Sequence, residues 1–108
     1  MEFVAASEHA LKIAKIAAQA AYDKKAENIV LLDVSEHLVI TDIFLIASAD
    51  NERQVGAIVD AIEAALDEID VDPIRREGNR EGRWVLLDYF DIVVHVQQDE
   101  ERSLYDLE

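Results

Sequence analysis

The sequence contains no cysteine, which excludes disulfide frameworks, thiolate metal sites and cysteine nucleophiles from the start. One proline and three glycines in 108 residues are too few for a linker, a collagen-like repeat or a low-complexity segment. Those glycines stand at 56, 78 and 82 and form neither a GxGxxG nor a Walker pattern, so no phosphate-cradling loop is encoded. No apolar run approaches the roughly 20 residues needed to cross a bilayer. The opening stretch Met1-Glu2-Phe3-Val4-Ala5 has neither the basic start of a secretory signal nor the Arg-rich character of a transit peptide. An intracellular, cytoplasmic protein is the expectation. Bases are scarce as well: 10 against 24 acids gives a net charge of −14. That balance repels duplex nucleic acid, whose binding requires Lys and Arg to neutralise phosphates, and it favours basic protein partners.

What is present is an ordinary globular mixture, 51% hydrophobic and 31% charged, of a length that makes one domain, residues 1–108. The charge is uneven. Residues 60–72 carry six acids and no base, whereas residues 75–83 carry Arg75, Arg76, Arg80 and Arg83 against two glutamates.

Ser7 can cap an alanine-rich helix whose apolar stripe runs Ile13, Ile16, Ala17 and Ala20, with Lys12, Lys15 and Gln19 turned outward. Residues 28–33, Asn-Ile-Val-Leu-Leu-Asp, read as a strand that is apolar on both faces and therefore central. A second strand of the same type follows over 41–48. Asp50 or Asn51 caps the next helix, whose stripe of Val55, Ile58, Val59, Ile62, Leu66 and Ile69 keeps helical spacing until Asp72-Pro73 stops it. Residues 74–82 read as a loop. Two strands, 83–88 and 91–97, are then separated only by Tyr89-Phe90, the spacing of an antiparallel hairpin. Neither turn residue favours positive φ, so a type I turn or a bulge is expected there. Asp99-Glu100-Glu101 opens a short terminal helix. The order α-β-β-α-β-β-α describes an α/β (α+β) domain, a mixed sheet with flanking helices.

Candidate chemistry is sparse. Asp88 and Asp91 flank the hairpin turn and could converge on a metal, but acids in such places are usually solvated turn formers. His95 alternates with Val93 in a Val-rich strand and reads as a core or edge histidine rather than a general base. His9 and His37 read as surface residues. Binding is the better-supported class. The pleat puts Trp84, Leu86 and Asp88 on one face of their strand and Val85 and Leu87 on the other. Both sets are largely apolar: either the strand is buried on both sides or one face awaits a partner. A Trp beside Arg83 and Tyr89 has the composition of an interface hot spot. Thr41, Asp42 and Phe44 enter the second strand as a polar-aromatic rim or simply as a capped strand start, while Asn51, Arg53 and Gln54 dress a helix start.

Several strings taken together are specific. Lys24-Lys25-Ala26-Glu27-Asn28-Ile29-Val30 leads to Leu32-Asp33-Val34-Ser35, followed by Thr41-Asp42-x-Phe44 and Arg53-Gln54-Val55. Then come Glu77-Gly78, Gly82-Arg83-Trp84-Val85-Leu86-Leu87-Asp88-Tyr89, Val93-Val94-His95-Val96 and Arg102-x-x-Tyr105-x-Leu107-Glu108. Their order and spacing, over roughly residues 7–108, resemble the ribosomal silencing factor, or Iojap-like, family. Three positions depart from the family pattern: Ala49-Asp50 stands for a Ser-Gly turn, Phe90 for a turn glycine, and Ser103-Leu104 for a more aromatic ending.

The resemblance implies a nucleotidyltransferase-like fold without transferase activity and without a cofactor. It implies binding to the large ribosomal subunit through ribosomal protein fourteen, a block to subunit joining, lower translation under nutrient limitation, and a homodimer in the free state. Carried over position by position, it places the contact surface on Trp84, Leu86, Asp88 and Tyr89, with Arg83 beside them and Thr41, Asp42 and Phe44 on the adjacent strand. Arg75, Arg76 and Arg80 would offer a minor rRNA contact. Two other readings stand beside this one: a degenerate nucleotidyltransferase using Asp88, Asp91 or His95, and an adaptor or dimerisation module that never meets a ribosome.

Overall fold

The structure, a computed structural model, describes residues 6–38, 40–78 and 82–104. Its elements in chain order are α1 (Glu8–Asp23), β1 (Glu27–Asp33), β2 (Ile43–Ala49), α2 (Glu52–Asp67), β3 (Arg75–Gly78), β4 (Trp84–Asp88), β5 (Ile92–Gln98) and α3 (Asp99–Leu104). The fold is mixed α+β. Its five strands lie in the order β1-β2-β5-β4-β3, with β2 and β5 parallel and the remaining neighbours antiparallel.

Two capped amphipathic helices build one layer. The Ser7 side chain accepts from the Ala10 N–H, and Asn51 does the same for Gln54, so each helix starts on a side-chain oxygen that satisfies an otherwise orphaned donor. Both stop without glycine. The Ala26 N–H returns to the Ala21 carbonyl and the Lys25 N–H to Tyr22, with Lys25 at φ +62. Val71, Asp70 and Leu66 repeat the arrangement after α2, with Asp70 at φ +60. This is the Schellman closure, which takes up the last carbonyls of a helix through a left-handed residue.

The stripes Ala10, Ile13, Ala14, Ala17 and Ala21 of α1 and Val55, Ile58, Val59, Ile62 and Leu66 of α2 are buried in one core. From the sheet that core receives Ile43, Leu45, Ala47, Ala49, Val85, Leu87, Tyr89, Ile92, Val94 and Val96. These positions alternate along β2, β4 and β5, so α1 and α2 lie on the same face of the sheet.

Four expectations are corrected. β1 is an edge strand, not a central one; its apolar residues are half-buried or, at Leu31, exposed. Residues 75–78 form β3 rather than a loop, so the order is α-β-β-α-β-β-β-α. This strand is exposed along its whole length and made of Arg, Arg, Glu and Gly, which leaves no apolar alternation to read. Charges on a short edge strand are also a familiar device against edge-to-edge pairing. β2 begins at Ile43, not at Thr41.

The hairpin turn is the fourth. Phe90 takes φ +75, and the Asp91 N–H donates to the Tyr89 carbonyl at 3.0 Å. This i→i+2 bond over a positive-φ residue is the strained hand of γ-turn. The Asp88 carboxylate holds it by accepting the Phe90 N–H at 2.9 Å. A side chain in this region costs energy that glycine avoids. Phe90→Gly is therefore expected to raise the unfolding free energy by about 1 kcal/mol, or the melting midpoint by about 5 °C. Chemical denaturation checks it; a destabilised variant would show that the exposed phenyl ring contributes more packing than the turn costs.

Candidate functional site

With both long helices on one side, the other face of the sheet carries, among the described residues, only its own side chains and α3. The register aligns them. Phe44 stands opposite Val93, Ile46 opposite His95 and Ser48 opposite Gln97 across the parallel pair. Trp84 pairs with Gln97, Leu86 with His95 and Asp88 with Val93 across the β4–β5 hairpin. Leu32 and Val30 continue the rows onto β1, and Arg75 and Glu77 continue them onto β3. None of these residues belongs to the helix-covered core.

α3 closes one end of this face. Arg102 donates to the Asn28 carbonyl and to Ser48 Oγ, the latter at 3.2 Å. The remainder, from Phe44 across His95 to Trp84, Leu86 and Asp88, lies under no helix among the described residues. Ile46 and Val93 are buried at its centre, whereas Phe44, Trp84, Leu86 and Asp88 are half-buried. Trp84 and Leu86, with Glu77 and Gly78, also line a shallow cavity at the β3 side.

Between Phe44 and Trp84 stands His95. Its ring centroid lies 4.9 Å from that of Phe44 and 6.0 Å from that of Trp84. The Trp84 Nε1–H donates to His95 Nδ1 at 3.1 Å. The imidazole is only 5% exposed, and this burial pushes its pKa down to about 4. It is neutral at pH 7, and since Nδ1 accepts, the proton resides on Nε2. Nε2 itself is buried and has no hydrogen-bond partner, as is the Gln97 carboxamide two residues on.

The eight residues assigned to the contact surface separate by location. Trp84, Leu86, Asp88 and Phe44 share the uncovered face. Tyr89 does not join them: it points into the helix-side core, 5% exposed, where burial lifts its phenol to about 12. Thr41 is likewise buried. Asp42 accepts the Ser7 N–H at 2.9 Å and so ties the start of α1 to the loop before β2. Arg83 lies at the β4 entrance within 3.8 Å of Glu101. Arg75 approaches Asp88 at 3.6 Å, Arg76 binds Glu63 at 2.6 Å, and Arg80 lies outside the described residues.

Asp88 and Asp91 are engaged by different partners. Asp88 caps the γ-turn and faces Arg75, while Asp91 stands 3.7 Å from His9. A different trio of acids does come together among the described residues: carboxylate oxygens of Glu27, Asp50 and Asp99 lie within 4.8 Å of one another. The charge of Asp99, with Asp50 behind it, raises the Glu27 pKa, and a hydrogen bond to Asp99 raises that of Asp50. The three sit at the start of β1, the end of β2 and the start of α3. No local spacing could have announced them. Likewise, the His95–Trp84 bond depends on hairpin register, although the short turn between the two strands was the signal from which register follows.

The fold and this face together define a two-layer α+β domain with a helix-clad side and an aromatic-aliphatic sheet surface. Residues 7–108 match the family model described as "Ribosomal silencing factor during starvation". The chain is 45% identical to ribosomal silencing factor RsfS of Bacillus subtilis over 96 residues, covering 89% of this chain and 81% of that protein. It is 31% identical to the chloroplastic protein Iojap of Zea mays, over 91% of this chain and 42% of that one. A crystal structure of a protein from Chromobacterium violaceum superimposes with a TM-score of 0.87 at 37% identity, covering 91% and 82% of the two chains. A second, from Bacillus halodurans, gives 0.81 at 37% identity and covers 90% of each. The chain belongs to the ribosomal silencing factor family, and translation regulation follows from that membership.

The depressed His95 pKa has a measurable consequence. The unfolded chain, with histidine near its ordinary 6.5, binds more protons than the folded one between that value and about 4. Folding stability therefore falls as the pH drops through that window. Urea unfolding at about pH 7 and about pH 5 is expected to show a loss about 2 kcal/mol larger for the wild type than for His95→Asn. Equal losses would mean that the imidazole is solvated in the folded chain.

Proposed function

We propose that the uncovered sheet face docks on the large ribosomal subunit through ribosomal protein fourteen, and that the bound domain occupies surface the small subunit needs for joining. Such a block requires no chemistry, only residence at the right place. The observation that carries this reading is the half-buried Trp84, held among Phe44, Leu86 and His95 on the one sheet face that α1 and α2 leave bare. A Trp in a partly desolvated apolar setting is the commonest kind of hot spot. Phe44, Leu86 and Asp88 would share the contact. Tyr89 and Thr41, being buried, would support it from beneath, with Arg83 at its margin. The net charge of −14 suits a basic ribosomal protein better than rRNA. Arg75 and Arg76, each next to an acid, are poorly placed to give up that neighbour for phosphate.

This reading carries a cytoplasmic location, a non-enzymatic action and a nucleotidyltransferase-like descent of the fold. It also includes a homodimer in the free state, which the edge position of β1 and the exposed Leu31 and Leu11 beside it would suit.

Co-sedimentation with purified large subunits tests it. Wild type should pellet with them, and Trp84→Ala should remain folded yet lose at least about 2 kcal/mol of affinity. Unchanged affinity in the folded variant contradicts the proposal. Raising salt across tens of millimolar should weaken binding only modestly, because few phosphates are neutralised; a steep loss would mean that rRNA dominates the contact.

A further inference from the structure

The uncovered face contains a polar group that packing alone does not explain. His95 occupies an interior position of β5, buried between two aromatic rings, in a strand otherwise rich in valine. An aliphatic residue there would have no polar atom to satisfy. The imidazole instead leaves Nε2–H buried and unpartnered, a configuration that costs stability. What the ring supplies in return is one acceptor, Nδ1, placed 3.1 Å from the Trp84 indole nitrogen. The bond crosses from β4 to β5 on a diagonal, since Trp84 pairs with Gln97 and His95 with Leu86. Phe44 stands on the other side of the imidazole, so the acceptor is itself held in place. An indole fixed in this way presents one edge and one face to an arriving surface, and it loses less rotamer freedom on docking.

We infer that His95 is a positioning residue for docking: by accepting the indole N–H at Nδ1 it locks Trp84 in the orientation that the partner meets. The inference rests on the docking reading above. It adds that affinity depends on an acceptor at one point of the buried β5 row, not merely on a ring that fills space.

Trp84 is the only tryptophan in the chain, so its indole N–H gives a single cross-peak in a ¹H–¹⁵N spectrum of the whole protein. His95→Asn places an amide oxygen where Nδ1 stood, on the same carbon; His95→Leu fills the space with no acceptor. In the free protein, His95→Leu should shift the indole cross-peak and speed its hydrogen exchange, and His95→Asn should keep it near the wild-type behaviour. Co-sedimentation with large subunits should then give about a tenfold loss of affinity for His95→Leu and a loss of less than about threefold for His95→Asn.

If His95→Leu fails to fold, His95→Gln replaces it, since its amide lies one carbon too far out to meet the indole; the same tenfold loss is expected. Equal binding by wild type and the acceptor-less variant overturns the positioning role while leaving the docking reading standing. Equal loss in the Asn variant overturns it too, because the acceptor would then not be what matters. A wild type that fails to bind large subunits overturns the docking reading and the positioning role together, whatever the indole cross-peak shows.

Discussion

Both long helices of this chain pack on the same face of its sheet, and the rest of the structure follows from that constraint. The parallel arrangement of β2 and β5 places the α2 crossover on the side where α1 already lies. The alanine stripe of α1 lets it sit close beside α2, so two slim helices cover the sheet once, and among the described residues only α3 lies on the other side. α3, six residues long, secures only the Ser48 end through Arg102. The other face must therefore solve its burial problem in a single layer. It does so by crowding Ile46 and Val93 under larger neighbours and by bonding Trp84 to His95.

That arrangement divides the labour between the two faces. The helix side carries folding stability: its buried residues are nearly all aliphatic, and Tyr89 is the exception whose hydroxyl lacks a partner. The open side is the one proposed to carry recognition. At its β3 and β4 margin Arg75 pairs with both Glu77 and Asp88. Much of the negative charge sits elsewhere, on the outer side of α2 and at the convergence of Glu27, Asp50 and Asp99. Under the proposed docking, an apolar patch inside a strongly acidic envelope would favour a basic protein surface over nucleic acid.

Much of this was legible in the sequence wherever a periodicity spoke for itself. The α2 stripe keeps helical spacing over four turns, and the alternation of Trp84, Leu86 and Asp88 against Val85 and Leu87 places each on the face where it is found. Family strings pointed to the same surface. What escaped had non-local or local-geometric causes. β1 looks central because both its faces are apolar, yet strand order is decided by crossover topology that a single strand does not record. β3 has no apolar residue, so nothing distinguishes it from a loop. The helix ends at Lys25 and Asp70 lack the glycine that usually marks them. Tyr89 sits on the helix side because the β4 alternation runs on through it with Val85 and Leu87, a parity that was legible; the positive φ of Phe90, unfavourable for a phenylalanine, was not. The Glu27–Asp50–Asp99 trio joins three element ends far apart in the chain.

In the proposed complex the bare sheet face, not the helix layer, meets the partner. The most direct test labels the single tryptophan with 5-fluorotryptophan and follows its ¹⁹F resonance as isolated ribosomal protein fourteen is added. The resonance should shift and lose its solvent isotope effect as the complex saturates. A resonance that stays at its free position while binding is complete would place the interface on another surface and contradict the proposed docking.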